Sequence, residues 1–312
     1  MSRVAVIGGG VVGTAVTLAL ARRGLETTLY EARDGLAQAA SGTNSGILHT
    51  GFDSPPGELE TRLIMRSAEL REPVIDALGV PVRRCGAIVE GRAIPEEAVT
   101  DPVHFTRALA AAAEACGAEI RLNTRVTEPL DTLTVNCAGL YADEVARLYG
   151  DDSFEIYPRK GEFFVFDGLE LDQILFPIPT ARTRGVLVFP TIDGKVVAGP
   201  TAIDQTDKED WSVRPEALAE VRAKAAELLP AIADARPIGS WAGLRPAGRD
   251  TNYVIRRASP ELINVAAIRS TGLSASLGIG EYVADMVAPG APERPLPTVS
   301  VHPSEEPWWH RS

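Results

Sequence analysis

The chain is 312 residues long, 33.2 kDa, with 45% hydrophobic residues, 23% charged residues and a formal net charge of −11. That length allows a sizeable core in two closely connected domains. The acidic balance argues against nucleic acid or an anionic membrane surface as a partner, and no apolar run reaches the roughly 18 residues of a membrane span.

The first element is expected at Val4 to Ile7, a buried parallel strand, followed by Gly8, Gly10 and Gly13 at G-x-G-x-x-G spacing and an apolar helix over Val11 to Leu20. The first glycine permits a tight turn, the second lets a pyrophosphate approach the backbone, and the third lets helix and strand pack closely. The helix start then offers free N–H groups and a positive dipole end. A second apolar stretch, Thr27 to Tyr30, ends in Glu31, where an acid would bind an adenosine ribose hydroxyl. No basic segment and apolar leader precede the first strand, so no signal peptide is expected.

A Gly/Ser/Thr/Asn-rich loop follows, Ser41 to Gly51, and then a helix over Gly57 to Leu78, ended by Gly79. Val82 to Val89 reads as a strand. Asp101 is placed to cap an alanine-rich helix that has Pro102 at its first position and runs to Cys116. Strands are expected at Glu119 to Leu122 and Leu133 to Cys137, the latter turning through Ala138–Gly139 into a helix to about Tyr149.

From Ser153 to about Gly199, β-branched and aromatic residues alternate between turn signals, the pattern of antiparallel sheet. Arg214 to Leu229 is an amphipathic helix. Strands follow at Ile238 to Trp241, Tyr253 to Arg256 and Leu262 to Ala266, and the glycine-rich stretch Ser270 to Gly280 opens a last helix ending near Val287. The proline-dense remainder reads as an extended, partly ordered arm with an exposed-looking Trp308–Trp309, docked on the chain's own surface or on a neighbour.

This order predicts an α/β fold: a discontinuous Rossmann-like nucleotide-binding domain (residues 1–80, 101–152 and 240–288) carrying an inserted antiparallel-β substrate domain (81–100 and 153–239), then the tail, 289–312. Cys85, Cys116 and Cys137 lack C-x-x-C spacing. They suit a reducing cytoplasm and argue against a zinc or iron–sulfur site, so no metal ligand is assigned.

Three later stretches stand in order behind the opening glycines and Glu31: SGTNSGILHTG from Ser41, VNCAG from Val135 and RSTGLSASLGIGEY from Arg269. With them the chain resembles the FAD-dependent oxidoreductases of the D-amino-acid oxidase type, and within that group the L-2-hydroxyglutarate dehydrogenases and anaerobic-type glycerol-3-phosphate dehydrogenases. The segments GFDSPPGELETRL, PRKGEFFVF and VLVFPTIDGKVVAGPTA support the likeness, which covers most of residues 3 to 288. It implies FAD as cofactor and hydride transfer from a small anionic substrate, an L-2-hydroxy acid or glycerol 3-phosphate, to flavin N5. An amine or amino-acid oxidase of the same fold is the alternative within the group.

The loop from Ser41 offers many backbone N–H and hydroxyl groups beside Glu31 and Arg33, at the C-terminal edge of the sheet where ligands gather. The resemblance places Ser41, Asn44 and Ser45 against FAD, and lays the backbone of Val126 against the adenine. Small residues at Ala138 and Gly139 let a second backbone segment approach the cofactor. A helix N-terminus near the pyrimidine end of a flavin stabilises negative charge, and the resemblance puts Thr271, Gly272 and Leu273 there.

His49 is one of four histidines, and a neutral imidazole can accept a hydroxyl proton while hydride leaves the adjacent carbon. Hydrogen bonding to the flavin and covalent attachment of FAD are the other readings of this residue. Arg245, in WAGLRP, presents a guanidinium fork suited to a carboxylate or phosphate, and related oxidases hold the substrate's acid group with an arginine here. Lys160, Arg269 and Tyr253 are expected in the same anion pocket. His104, His302 and His310 read as structural or exposed.

The chain is shorter than the family between Gly91 and Asp101 and at TEPLDTLTV, so the substrate domain is reduced, and the iron–sulfur extension of some relatives is absent. The trimming also admits a non-catalytic FAD-binding or partner-docking protein. Oxygen, a quinone and an electron-transfer protein are open as electron acceptors.

Overall fold

The structure is a computed structural model that describes residues 3–52, 54–177, 185–302, 304 and 306–310. Asp53, within the segment GFDSPPGELETRL, lies outside the described residues. The chain opens with β1 (Arg3–Ile7), α1 (Val11–Arg22) and β2 (Glu26–Tyr30), then a two-residue strand, β3 (Ile47–Leu48), and the long helix α2 (Leu59–Leu78). Four short strands follow: β4 (Val82–Arg83), β5 (Ala87–Val89), β6 (Arg92–Ile94) and β7 (Ala98–Thr100). The expected single strand over residues 82–89 is therefore two. A positive φ of 65° at Gly86 marks the break, and the halves join different sheets.

Helix α3 (Pro102–Ala115) starts as its sequence dictates, with Asp101 Oδ1 accepting from the N–H groups of Val103 and His104 at 2.8 and 2.9 Å. Next come β8 (Glu119–Arg121), β9 (Leu133–Asn136) and the short α4 (Ala142–Leu148). The second half is β10 (Ile156–Phe166), β11 (Ile174–Phe176), β12 (Leu187–Pro190), β13 (Val196–Gly199), β14 (Ile203–Asp204), α5 (Ala217–Leu228), β15 (Pro237–Gly248), β16 (Val254–Ser259), β17 (Leu262–Ala266) and α6 (Gly272–Val287).

One sheet has the order β16-β17-β9-β1-β2-β8, parallel throughout except for β16. Its central strands are covered on both faces, which is why Val4 to Ile7 reads as a continuous apolar run and Thr134 on β9 is buried beside Leu133 and Val135. On one face α6 lies between α1 and α2. Backbone contact is close there: a Cβ on Gly278 would stand 2.4 Å from the Leu63 carbonyl oxygen, and one on Gly280 2.7 Å from that of Ala15. α4 covers β17 on the other face.

The second sheet, β14-β10-β13-β12-β11-β5-β6 with β15 on β10, is antiparallel except where β11 pairs β5. β15 pairs β10 over eleven positions from Ile156↔Gly248 to Phe166↔Pro237. It thus runs straight through the boundary expected at residue 240 and takes residues 240–248 into the second sheet. A three-stranded sheet, β3-β7-β4, joins the loop after Ser41 to the inserted segment 81–100.

The tail departs from its expected exposure. Trp308 and Trp309 are 6% and 7% exposed and belong to the second sheet's core. Trp308 meets Trp241 edge-on with ring centres 5.2 Å apart, and Trp241 stacks on Phe163 at 4.8 Å. Trp309 Nε1 donates to the Asp193 carboxylate at 3.1 Å. Of the two docking options, these residues take the chain's own surface. No described helix is long and apolar enough to cross a membrane.

Candidate functional site

A cavity opens at the C-terminal ends of β1, β2, β9 and β17, where a parallel sheet gathers its ligands. Gly8 to Val12 form its floor. The Gly9 N–H donates to Glu31 Oε2 at 2.6 Å, and the Val11 N–H donates to Ser41 Oγ at 2.9 Å. Among the described residues the N–H groups of Gly10 and Val12 have no acceptor, so they face the cavity as donors at the start of α1. Gly13 does not line the cavity. A Cβ there would stand 1.9 Å from the Gly8 carbonyl oxygen, so its part is the close approach of helix and strand.

Glu31 and Arg33 lie on the rim beyond β2, and the Arg33 N–H donates to Glu31 Oε1 at 2.8 Å. Ser41, Asn44 and Ser45 line the same wall. Asn44 ties the loop to itself, Nδ2 donating to the Ser41 carbonyl at 2.6 Å and Oδ1 accepting from the Gly46 N–H at 2.7 Å. Val126, Ala138 and Gly139 form the facing wall. Tyr141 lies beside them under the Arg125 guanidinium, 5.5 Å from its ring centre.

A loop from the second sheet closes over this rim. Glu209 takes hydrogen bonds from Tyr141 and Arg33, Arg33 also lies 5.8 Å above the Trp211 ring, and Lys208 pairs with Asp143 and Glu144.

At the far end, Gly272, Leu273 and Ser274 bring the start of α6 to the cavity, as the glycine-rich helix entry predicts. Thr271 does not line it. Its hydroxyl is buried between Tyr253 Oη at 2.6 Å and Glu60 Oε1 at 2.8 Å. Tyr253 is accordingly a core residue and not part of the expected anion pocket. Lys160 is also absent from the lining. Its ammonium is buried against Asp210 Oδ2 at 2.7 Å and the Ser212 carbonyl at 3.1 Å, so another charge already holds it.

His49, Arg245 and Arg269 do line this end. Arg245 Nε donates to the Arg159 carbonyl at 3.1 Å, and Nη2 donates to the carbonyls of Lys160 and Thr201 at 3.1 and 2.7 Å. Nη1 has no partner among the described residues. Burial, with Arg159 and Arg269 nearby, pushes the Arg245 pKa down to about 10, so the group is cationic at neutral pH.

The His49 ring is buried, with Nδ1 3.0 Å from Glu97 Oε2 and the ring of Phe176 at 5.9 Å between centres. Its backbone N–H donates to Ser274 Oγ at 2.9 Å. Sequence reasoning missed Glu97. It stands in the short connection from β6 to β7, 48 residues from its partner, and nothing local sets it apart from Glu96 beside it. Ser274 was within reach of the sequence, since the expected helix entry spans it.

Residues 3–93 and 87–286 match the family described as FAD dependent oxidoreductase. A glycerol 3-phosphate dehydrogenase from Caloramator mitchellensis is 28% identical over 357 aligned positions, which span 92% of this chain and 74% of that protein. The alignment exceeds the 312 residues of the chain, so the relative carries insertions that this chain lacks. The mitochondrial L-2-hydroxyglutarate dehydrogenase of Mus musculus is 25% identical over 285 positions, 66% of this chain and 61% of that one. In three dimensions the chain is similar to the dithionite-reduced L-alpha-glycerophosphate oxidase from Mycoplasma pneumoniae with FAD bound, at a TM-score of 0.85 and 26% identity. That likeness covers 97% of this chain and 100% of the other.

Proposed function

Because the chain belongs to the family of FAD-dependent oxidoreductases, we propose that it oxidises a small anionic alcohol, glycerol 3-phosphate first, using His49, Arg245 and Arg269. The residues present fit FAD: unpartnered N–H groups at Gly10 and Val12 suit a pyrophosphate, and Glu31 stands at the end of β2 for a ribose hydroxyl. Bound there, FAD supplies the acceptor for the hydrogen and two electrons that leave the substrate carbon.

The observation that carries the reading is the meeting, at one end of the cavity, of an imidazole with a guanidinium that has one unpartnered nitrogen. Arg245, held by three carbonyl oxygens, directs Nη1 to the acid group of the substrate, and Arg269 adds a second positive charge. His49 Nε2 takes the hydroxyl proton. The names of these relatives favour a phosphate ester or a 2-hydroxy acid over an amine as the substrate.

The test is anaerobic addition of glycerol 3-phosphate, L-2-hydroxyglutarate and glycine to the flavin-loaded protein. Loss of the oxidised-flavin absorbance with glycerol 3-phosphate and not with glycine is the expected result. Flavin that dithionite bleaches and none of the three reduces would sink the substrate class. Repeating turnover with oxygen, a quinone and an electron-transfer protein then identifies the acceptor.

A further inference from the structure

Glu97 is fully buried (0% exposed), and among the described residues its carboxylate meets His49 and Thr50 through hydrogen bonds. We propose that Glu97 is a positioning residue: it fixes His49 in the tautomer with the proton on Nδ1, leaving the Nε2 lone pair to accept the substrate's hydroxyl proton. The inference rests on the reading of His49 as the proton acceptor and adds what sets its direction.

A count of donors and acceptors decides the tautomer. Glu97 Oε1 accepts from both the Thr50 N–H and the Thr50 hydroxyl, at 2.8 and 2.9 Å. Only Oε2 is left to face Nδ1. If Glu97 were ionised, the hydrogen in the 3.0 Å contact would have to come from Nδ1, because a carboxylate is acceptor-only. Burial alone would raise the Glu97 pKa, but the hydrogen bonds from His49 and the two Thr50 donors favour its ionised form, and its pKa lies below the usual carboxylate value.

The surrounding charges agree. Arg71, almost wholly buried on α2, donates to the His49 carbonyl at 2.8 Å, and its charge acts on Glu97. Glu97 also acts on the Cys85 thiol, and Arg245 and Arg269 line the cavity beyond the ring. His49 itself is held at both ends, by Ser274 Oγ at its backbone and by Phe176 against its ring. Among the described residues Nε2 has no partner. In the reaction the substrate O–H bond breaks, an N–H bond forms at Nε2, and Glu97 stays ionised beside the imidazolium.

Glu97→Gln tests this, because an amide has one acceptor oxygen where the carboxylate has two. The Thr50 donors claim that oxygen, the NH2 group then faces Nδ1, and the ring proton moves to Nε2. Nitrogen NMR on holoenzyme with labelled histidine reads the tautomer directly. With only four histidines, a His49→Asn spectrum assigns the signal.

The wild-type protein should carry the proton on Nδ1 and Glu97→Gln on Nε2. The variant should retain FAD and KM for glycerol 3-phosphate, and lose roughly 100-fold in the rate of flavin reduction. Removing the negative charge also favours neutral imidazole, so whatever activity remains should have its acid limb at lower pH than the wild type. Glu97→Asp should keep the Nδ1 tautomer and an intermediate rate. A wild-type His49 protonated on Nε2 would overturn the proposal. So would a Glu97→Gln protein with the wild-type tautomer, an unmoved acid limb and a rate within about twofold. If no candidate substrate reduces the wild-type flavin, the substrate reading fails, and the NMR result still decides the role of Glu97.

Discussion

The indole of Trp241 donates a hydrogen bond of 2.9 Å to the carbonyl of Thr43, tying β15 to the loop that carries Ser41, Asn44 and His49. Two residues further along β15, a Cβ on Gly243 would stand 2.5 Å from the same oxygen. The loop is therefore held against the second sheet by backbone contact as well as by the indole. In Trp241→Phe the Thr43 carbonyl loses a buried donor, at a cost of about 1–3 kcal/mol. A lower Tm and weaker FAD retention on dialysis are expected. Unchanged FAD affinity would show that the loop keeps its shape without this bond.

Arg245 meets three carbonyl oxygens that a lysine ammonium cannot reach with the same planar fork. Arg245→Lys should therefore keep FAD but raise KM for glycerol 3-phosphate by about 10- to 100-fold, the value of a charged hydrogen bond. Steady-state kinetics on protein of matched flavin content check this. A KM equal to wild type would remove Arg245 from the substrate site.

Glu162 on β10 is buried and accepts from the Arg214 backbone N–H at 2.7 Å, from Arg214 Nη2 at 2.8 Å and from Thr201 Oγ1 at 2.8 Å. Burial pushes its pKa up, but the Arg214 and Thr201 bonds outweigh this and hold it below the ordinary value. The folded pKa thus lies below the unfolded value of about 4.3. The stabilisation is complete above that unfolded pKa and is lost as pH falls through the folded one. In Arg214→Ala the buried carboxylate loses its cation, so stability should drop by about 3 kcal/mol at neutral pH. The share of acid destabilisation that comes from Glu162 should also shrink, because without the cation its folded pKa moves up toward or past the unfolded value. Urea midpoints measured from neutral to acidic pH would show it, and parallel curves for the two proteins would contradict it.

Gly280→Ala adds a methyl 2.7 Å from the Ala15 carbonyl oxygen. An interior alanine gains about 1 kcal/mol of helix propensity over glycine. The obstacle is backbone rather than a flexible side chain, so overpacking of about 1–3 kcal/mol should win. The expected result is a lower Tm. A Tm at or above wild type would mean that α6 shifts freely between α1 and α2.

The cavity at the end of the parallel sheet was legible because its signals are local. Gly8, Gly10, Gly13 and Glu31 are spaced by the geometry of one βαβ unit, and the Ser41 loop and Gly272 announce themselves by composition. Elsewhere the deciding partner is distant and unmarked. Lys160 looked free for an anion because Asp210 reaches it from an irregular loop 50 residues on. Tyr253 looked like a pocket residue because nothing near it foretells the buried chain through Thr271 to Glu60. The Trp308–Trp309 pair lies in a segment without periodicity, and the partners that bury it, Trp241 and the second sheet's core, are distant in sequence.

The parallel sheet is completed by strands from opposite ends of the sequence: β9 has β1 on one side and β17, more than 120 residues later, on the other. During synthesis the first five elements can assemble early, but β9 stays an open edge until residues 262–266 have left the ribosome. Strands β10 to β15 of the second sheet must be made in the meantime. Contacts of such span are slow to form, and an open strand edge invites pairing with another chain. The same late residues bring the last wall of the cavity, so the cavity proposed for FAD is complete only after strands β10 to β15 have been made.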